Sequence, residues 1–253
     1  LDTFDAFRRI VARLRSPDGC PWDRKQTHQS LKPYLIEEAY EVVESLERGD
    51  VEKLCEELGD LLLLIALQVQ IAEEQGEFGM GDVLRRINEK LIRRHPHVFG
   101  QVRIRGESEV INNGEEIKRA EGKSDRSRLD GIPRGIPALA YSQIVQQRAA
   151  RMGFDWKAVD GVLAKVSEEL EELRQARTHE EKVHEFGDLL FALANAARWM
   201  DIDLEGALRQ SNERFFRRFG HMERRSREKG VNLNDLSIEE LDALWEEAKK
   251  AEE

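Results

Sequence analysis

One acidic pattern occurs twice in this chain, in the same order. Glu37-Glu38-x-x-Glu41 is followed by Glu57-x-x-Asp60, and Glu168-Glu169-x-x-Glu172 is followed by Glu185-x-x-Asp188. Acids three and four residues apart share one face of a helix, so each set predicts a pair of helices turning carboxylates the same way. Like charges so placed repel, and a hard divalent cation with oxygen ligands neutralises them best. The pattern points to magnesium (Mg2+), and its repetition points to two copies of one helical unit.

The order of the two halves extends beyond the acids. Gly19-Cys-Pro-Trp22-Asp23 has a counterpart in Gly153-Phe-Asp-Trp156, Asn88-Glu89-Lys90 through Arg93-Arg94 in Asn212-Glu213-Arg214 through Arg217-Arg218, and Gly114 through Lys118 in Trp245 through Lys249. Ordered recurrence of this kind indicates a tandem duplication. Residues 122–136 are dense in Gly, Pro, Ser and charge, without apolar periodicity, and read as a linker. The expected domains are therefore 1–121 and 137–253. Helix punctuation is frequent: Pro33 opens a helix that stops at Gly49, and Asp50 caps the next, to about Gln75. Thr178-x-x-Glu181 and Ser237-x-x-Glu240 have the spacing of capping boxes. Further helices are expected near 81–95, 138–152, 158–177, 179–200, 204–229 and 238–251, which makes the fold class all-α.

Composition narrows the function classes. Charged residues are 36% of the 253 and aromatics 7%, and the formal charge is −10. That balance works against stable nucleic-acid binding or attraction to an anionic membrane, so an anionic substrate requires local basic groups. Cys20 and Cys55 are too few for a disulfide framework and lack zinc-ligand spacing. The longest apolar run, Leu61 to Leu67, falls far short of the roughly 20 residues of a membrane helix. A cytoplasmic protein is expected.

The acids Asp60 and Asp188 stand at the mouth of apolar helix segments, where a partly desolvated carboxylate is costly unless a cation or donors satisfy it. A solvated surface explains one such stripe; ordered recurrence of every acid argues for metal sites. Lys90, Arg93 and Arg94, then Arg214, Arg217 and Arg218, sit on helices expected to return towards the acids, and the planar fork of Arg suits phosphate oxygens. Trp245 and Lys249, four apart, share a helix face on which an indole would stack a base beside a phosphate contact. Acids for metal and bases for phosphate together suggest a metal-chelated polyphosphate. His95-Pro96-His97 reads as a helix-ending turn, and Cys20 as packing.

The segments GCPWDRKQT (19–27), EEAYE (37–41), EELGDLLL (56–63), RRHPHVFG (93–100), GFDW (153–156), EELEE (168–172), EFGDLLFA (185–192) and NERFFRRF (212–219) resemble MazG-type nucleoside triphosphate pyrophosphohydrolases across both halves. The resemblance implies a dimeric, all-α, magnesium-dependent enzyme that converts nucleoside triphosphates into monophosphate and pyrophosphate, with the C-terminal domain catalytic. It assigns Glu169, Glu172, Glu185 and Asp188 to the metal, Arg214, Arg218 and Lys249 to the phosphates, and Trp245 to the base. The first half keeps Glu38, Glu41, Glu57 and Asp60 but has Gly114 where a Trp is expected, which reads as a degenerate metal site with weak activity or none. Two other classes fit the same residues: a nucleotide-sensing regulatory module with little turnover, and a helical assembly protein kept soluble by acidic stripes.

Overall fold

The computed structural model describes residues 2–102, 106, 127 and 129–251. Gly114 and Lys118 lie outside the described residues, as does most of the stretch 122–128 at the start of the expected linker. The chain divides into two compact units, Leu1–Asp125 and Arg126–Glu253. The described residues are helical, with no strand among them, in agreement with the expected all-α class.

In the first unit, Thr3 caps α1 (Phe4–Arg15), its hydroxyl accepting from the Ala6 N–H at 3.2 Å. Gly19 closes the bend into α2 (Pro21–Lys25), and α3 (Lys32–Arg48) ends on Gly49 with φ of 66°, the left-handed conformation that only glycine takes at no cost. Asp50 follows at once as the cap of α4 (Val51–Glu74), accepting from the Lys53 N–H at 3.0 Å. A two-residue connection makes α3 and α4 antiparallel neighbours and fixes which acids stand level. Val11, Leu31, Leu64, Ala66, Leu67 and Ile71 form the core between α1, α3 and α4, with Phe7, Leu35 and Leu63 against it. The buried Arg15 ties α1 to α4 through Glu74 at 2.7 Å and also donates to the Asp23 carbonyl. Then come α5 (Met80–Arg94) and the short α6 (Pro96–Phe99), with His95 in the break between them.

The second unit repeats the scheme with smaller core residues. It comprises α7 (Ala138–Ala150), α8 (Val159–Gln175), α9 (His179–Trp199), α10 (Leu204–Glu228), a 3-10 turn at Leu233–Asp235 and α11 (Ile238–Lys250). Both expected capping boxes are present, at Thr178/Glu181 and Ser237/Glu240. Ala192, Ala194, Ala196 and Ala197 are buried on α9, which packs against both α7 and α8. Gln146 donates to the Phe191 carbonyl at 2.8 Å, and Gln143 bridges the Ile202 carbonyl and the Leu204 N–H at 2.8 and 3.0 Å, pinning α7 to the α9–α10 corner.

Candidate active site

The acids of the second unit converge where α8 and α9 face each other. Both helices stop and start around the short turn 176–178, which sets Glu169 and Glu185 equally far from it. Ligand oxygens of Glu169, Glu172 and Glu185 come within 4.8 Å of one another. Glu169 is only 5% exposed. Lys165, one helical turn earlier, reaches its Oε1 at 2.7 Å and Glu168 at 2.9 Å, and this pairing holds the Lys165 ammonium above the usual lysine range. The other oxygen, Glu169 Oε2, is buried without a hydrogen-bond partner. Burial, followed by the charge of Glu169, pushes the Glu172 carboxyl above its ordinary value. A buried carboxylate oxygen with no donor, in an all-oxygen group, is the chemistry a hard divalent cation satisfies.

Asp188 belongs to a different grouping. It pairs with His184 at 3.0 Å, and His184, Glu185 and Asp188 form a second triad within 4.8 Å. Its side chain is half exposed, and the sequestered acid of this unit is Glu169. The reason is register: Glu185 stands level with Glu169 in the packed seam, while Asp188 lies nearly a turn further along α9.

The first unit builds the corresponding group from Glu38, Glu57 and Asp60. Here Glu57 is the sequestered acid, 1% exposed, paired to Lys53 at 2.6 Å. The hydrogen bond from Lys53 lowers the Glu57 carboxyl, while the Glu41 carboxyl is raised, first by its contact with Glu57 and then by the charge of Glu57. Burial raises Glu38, with Glu41, Asp60 and Glu57 adding like charge, and its Oε2 is also buried without a partner. Sequence reasoning missed Lys53, Lys165 and His184. A lysine four residues before an acid was the available signal for the first two.

The basic and aromatic residues form a group of their own on α10 and α11, two helices in contact. The Arg218 guanidinium lies 5.6 Å from the centre of the Trp245 ring, a cation–π distance, and Phe215 meets the same indole at 5.4 Å. Lys249, a turn beyond Trp245, pairs with Glu246 at 2.6 Å. Arg214 is exposed, one turn before Arg218. The helix carrying this group, α10, also touches the acid-bearing α9.

Residues 26–99 match the MazG nucleotide pyrophosphohydrolase domain, and residues 141–215 match phosphoribosyl-ATP pyrophosphohydrolase. Each unit is thus similar to a pyrophosphohydrolase domain. Over nearly its whole length the chain is 46% identical to the nucleoside triphosphate pyrophosphohydrolase/pyrophosphatase MazG of Thermotoga maritima, covering 99% of this chain and 97% of the relative. It is 41% identical to the nucleoside triphosphate pyrophosphohydrolase of Escherichia coli K12, covering 100% and 99%. It is also 47% identical to the uncharacterized protein YabN of Bacillus subtilis, spanning 98% of this chain and 52% of that protein. The chain belongs to the MazG family of nucleoside triphosphate pyrophosphohydrolases. Among the described residues no helix is long and apolar enough to cross a membrane.

Proposed function

We propose that the chain hydrolyses nucleoside triphosphates between the α and β phosphates, releasing monophosphate and pyrophosphate, and that the second unit does so with magnesium. The observation that carries this reading is the buried, unpartnered Oε2 of Glu169 inside the group with Glu172 and Glu185. Magnesium bound there supplies Lewis-acid charge against the triphosphate oxygens. Glu169, Glu172 and Glu185 would hold it, with Asp188 a turn further along α9 completing the acid set, and Glu172, on the exposed side, would also orient the attacking water. Arg214, Arg218 and Lys249 neutralise the phosphates. Trp245, held by the tilted Phe215 ring and by the Arg218 guanidinium over its indole, offers an aromatic surface to the base.

The intact triad of Glu38, Glu57 and Asp60 favours cation binding by the first unit as well, with turnover confined to the second. Homodimerisation is part of the same reading, supported by apolar side chains that α8 and α9 leave exposed, among them Leu170, Val183, Phe186 and Leu190. The test is pyrophosphate release from a panel of nucleoside triphosphates, with and without magnesium. Glu185→Ala should abolish release while circular dichroism stays that of the parent. Turnover close to that of the parent in this variant would remove the assignment to the second unit.

A further inference from the structure

The helix that carries Trp245 and Lys249 is gripped on two flanks. Leu244 and Ala248 are the buried residues of α11, and Trp245 and Lys249 emerge on one side of that stripe. Glu247 emerges on the other, about 200° around the axis from Trp245. Its Oε1 accepts from Arg225 Nε on α10 at 2.5 Å, and His221 Nε2, one turn earlier on α10, stands 3.6 Å from the same oxygen. That His221 nitrogen is buried without a hydrogen-bond partner, so the Glu247 carboxylate is the acceptor it faces. The hydrogen bond from Arg225 holds the Glu247 carboxyl below its ordinary value. Phe215 and Arg218, which meet the Trp245 indole, lie at least two turns nearer the start of α10, so α11 is held at two separate places along its neighbour.

These contacts differ in what they can fix. Burial of Leu244 and Ala248 is non-directional, and one leucine with one alanine lets a short helix roll on its neighbour. A charge-assisted hydrogen bond has a direction, and one on the flank away from Trp245 opposes that roll. Arg225 and Glu247 are both partly exposed, so the pair contributes little to stability; what it fixes is an angle. A roll of α11 matters unequally for Trp245 and Lys249. The indole is a rigid plane whose stacking surface turns with the helix, whereas the Lys249 ammonium sits on a flexible four-carbon stem that can follow a phosphate.

We propose that Glu247, held by Arg225 with His221 beside it, is a positioning residue that sets the roll of α11 and thereby the plane that Trp245 presents to a base. This rests on the proposed function in taking Trp245 as the base-stacking group. The competing account is an ordinary surface ion pair, whose loss weakens every ligand alike or none.

Two ligands separate these accounts in the full chain: an α,β-methylene nucleoside triphosphate, which carries a base and resists cleavage between the α and β phosphates, and inorganic tripolyphosphate, which has no base. Titration calorimetry with magnesium should show Glu247→Gln weakening the nucleotide about fivefold, part of the roughly tenfold or more that a stacked base contributes, with tripolyphosphate within about twofold of the parent. Arg225→Gln should have the same effect, and the double variant should be no worse than either single one, because the two residues act as one pair. Equal weakening of both ligands, no change in either, or additive effects of the two substitutions would each overturn the positioning role. The base assignment is tested separately by Trp245→Ala. If that variant binds the nucleotide as the parent does, the functional reading of Trp245 fails, and this is seen without touching Glu247.

Discussion

Single residues in this chain act chiefly by deciding whether a buried charge has a partner. Lys165 is the internal counter-ion of Glu169, and losing it leaves a carboxylate in the α8–α9 seam with nothing opposite. Lys165→Met is therefore expected to lower Tm in cation-free buffer, and excess magnesium should restore more stability to the variant than to the parent, measured by thermal unfolding with and without the ion. An equal magnesium shift in both would show that Lys165 and a cation do not serve the same carboxylate. Asp155 is the opposite case, an acid with several donors. Burial alone would raise it, but hydrogen bonds from Arg198 at 2.6 Å, the Trp199 indole at 3.0 Å and the Trp156 N–H at 2.9 Å outweigh that and hold it below its ordinary 3.8. A carboxyl lowered on folding contributes stability above its unfolded pKa and loses it as pH falls through the folded one. Asp155→Asn should thus cost about 1 kcal/mol at neutral pH, the modest end for charged hydrogen bonds because the group keeps contact with water. The gap between variant and parent should close as the solution is acidified below pH 3.8. A gap independent of pH would mean that shape, and not charge, is what Asp155 contributes.

Helix connections determine which carboxylate is sequestered. From Glu41 to Glu57 is sixteen residues, but from Glu172 to Glu185 only thirteen, so the second hairpin is nearly one helical turn shorter between its acids. In the first unit Glu41 stands opposite Glu57, and Glu57 is buried; in the second it is Glu169 that stands opposite Glu185 and is buried instead. The lysine that neutralises the buried acid changes helix with it, from Lys53 on α4 to Lys165 on α8. The helices themselves were legible in the chain, because Thr178 with Glu181, Ser237 with Glu240, and Gly49 before Asp50 are local signals that operate whatever surrounds them. Which acid is buried was not legible, since that depends on how far each pair stands from its turn once the helices are packed. The connection between α1 and α2 is equally intolerant of change. A methyl added at Gly19 would lie 2.2 Å from the Leu14 carbonyl oxygen, the same carbonyl that accepts from the Cys20 N–H at 2.8 Å. Gly19→Ala should cost about 1 to 3 kcal/mol by forcing backbone apart, read from the denaturation midpoint and from faster amide exchange at Cys20. An unchanged midpoint would show that the bend gives way freely.

At the scale of the whole molecule, the duplication places an acidic group in each of two units, each with buried apolar residues of its own. The doubled acidic pattern suggests equivalence, yet the donor sets differ: Glu38, Glu57 and Asp60 are oxygen alone, whereas the second unit adds His184 to its acids and carries Arg218 and Trp245 together on α10 and α11. A ligand that binds only the folded form stabilises whichever unit it occupies, by about 2.7 kcal/mol at a hundred times its dissociation constant. Calorimetry of the full chain should therefore resolve transitions that magnesium moves separately. Glu57→Gln, which keeps the shape of a buried side chain and removes its charge, should cancel the magnesium shift of one transition. Glu185→Gln should cancel the other and stop pyrophosphate release along with it. Were Glu57→Gln to abolish both shifts, the two groups would be a single coupled system, and assigning turnover to the second unit alone would have to be abandoned.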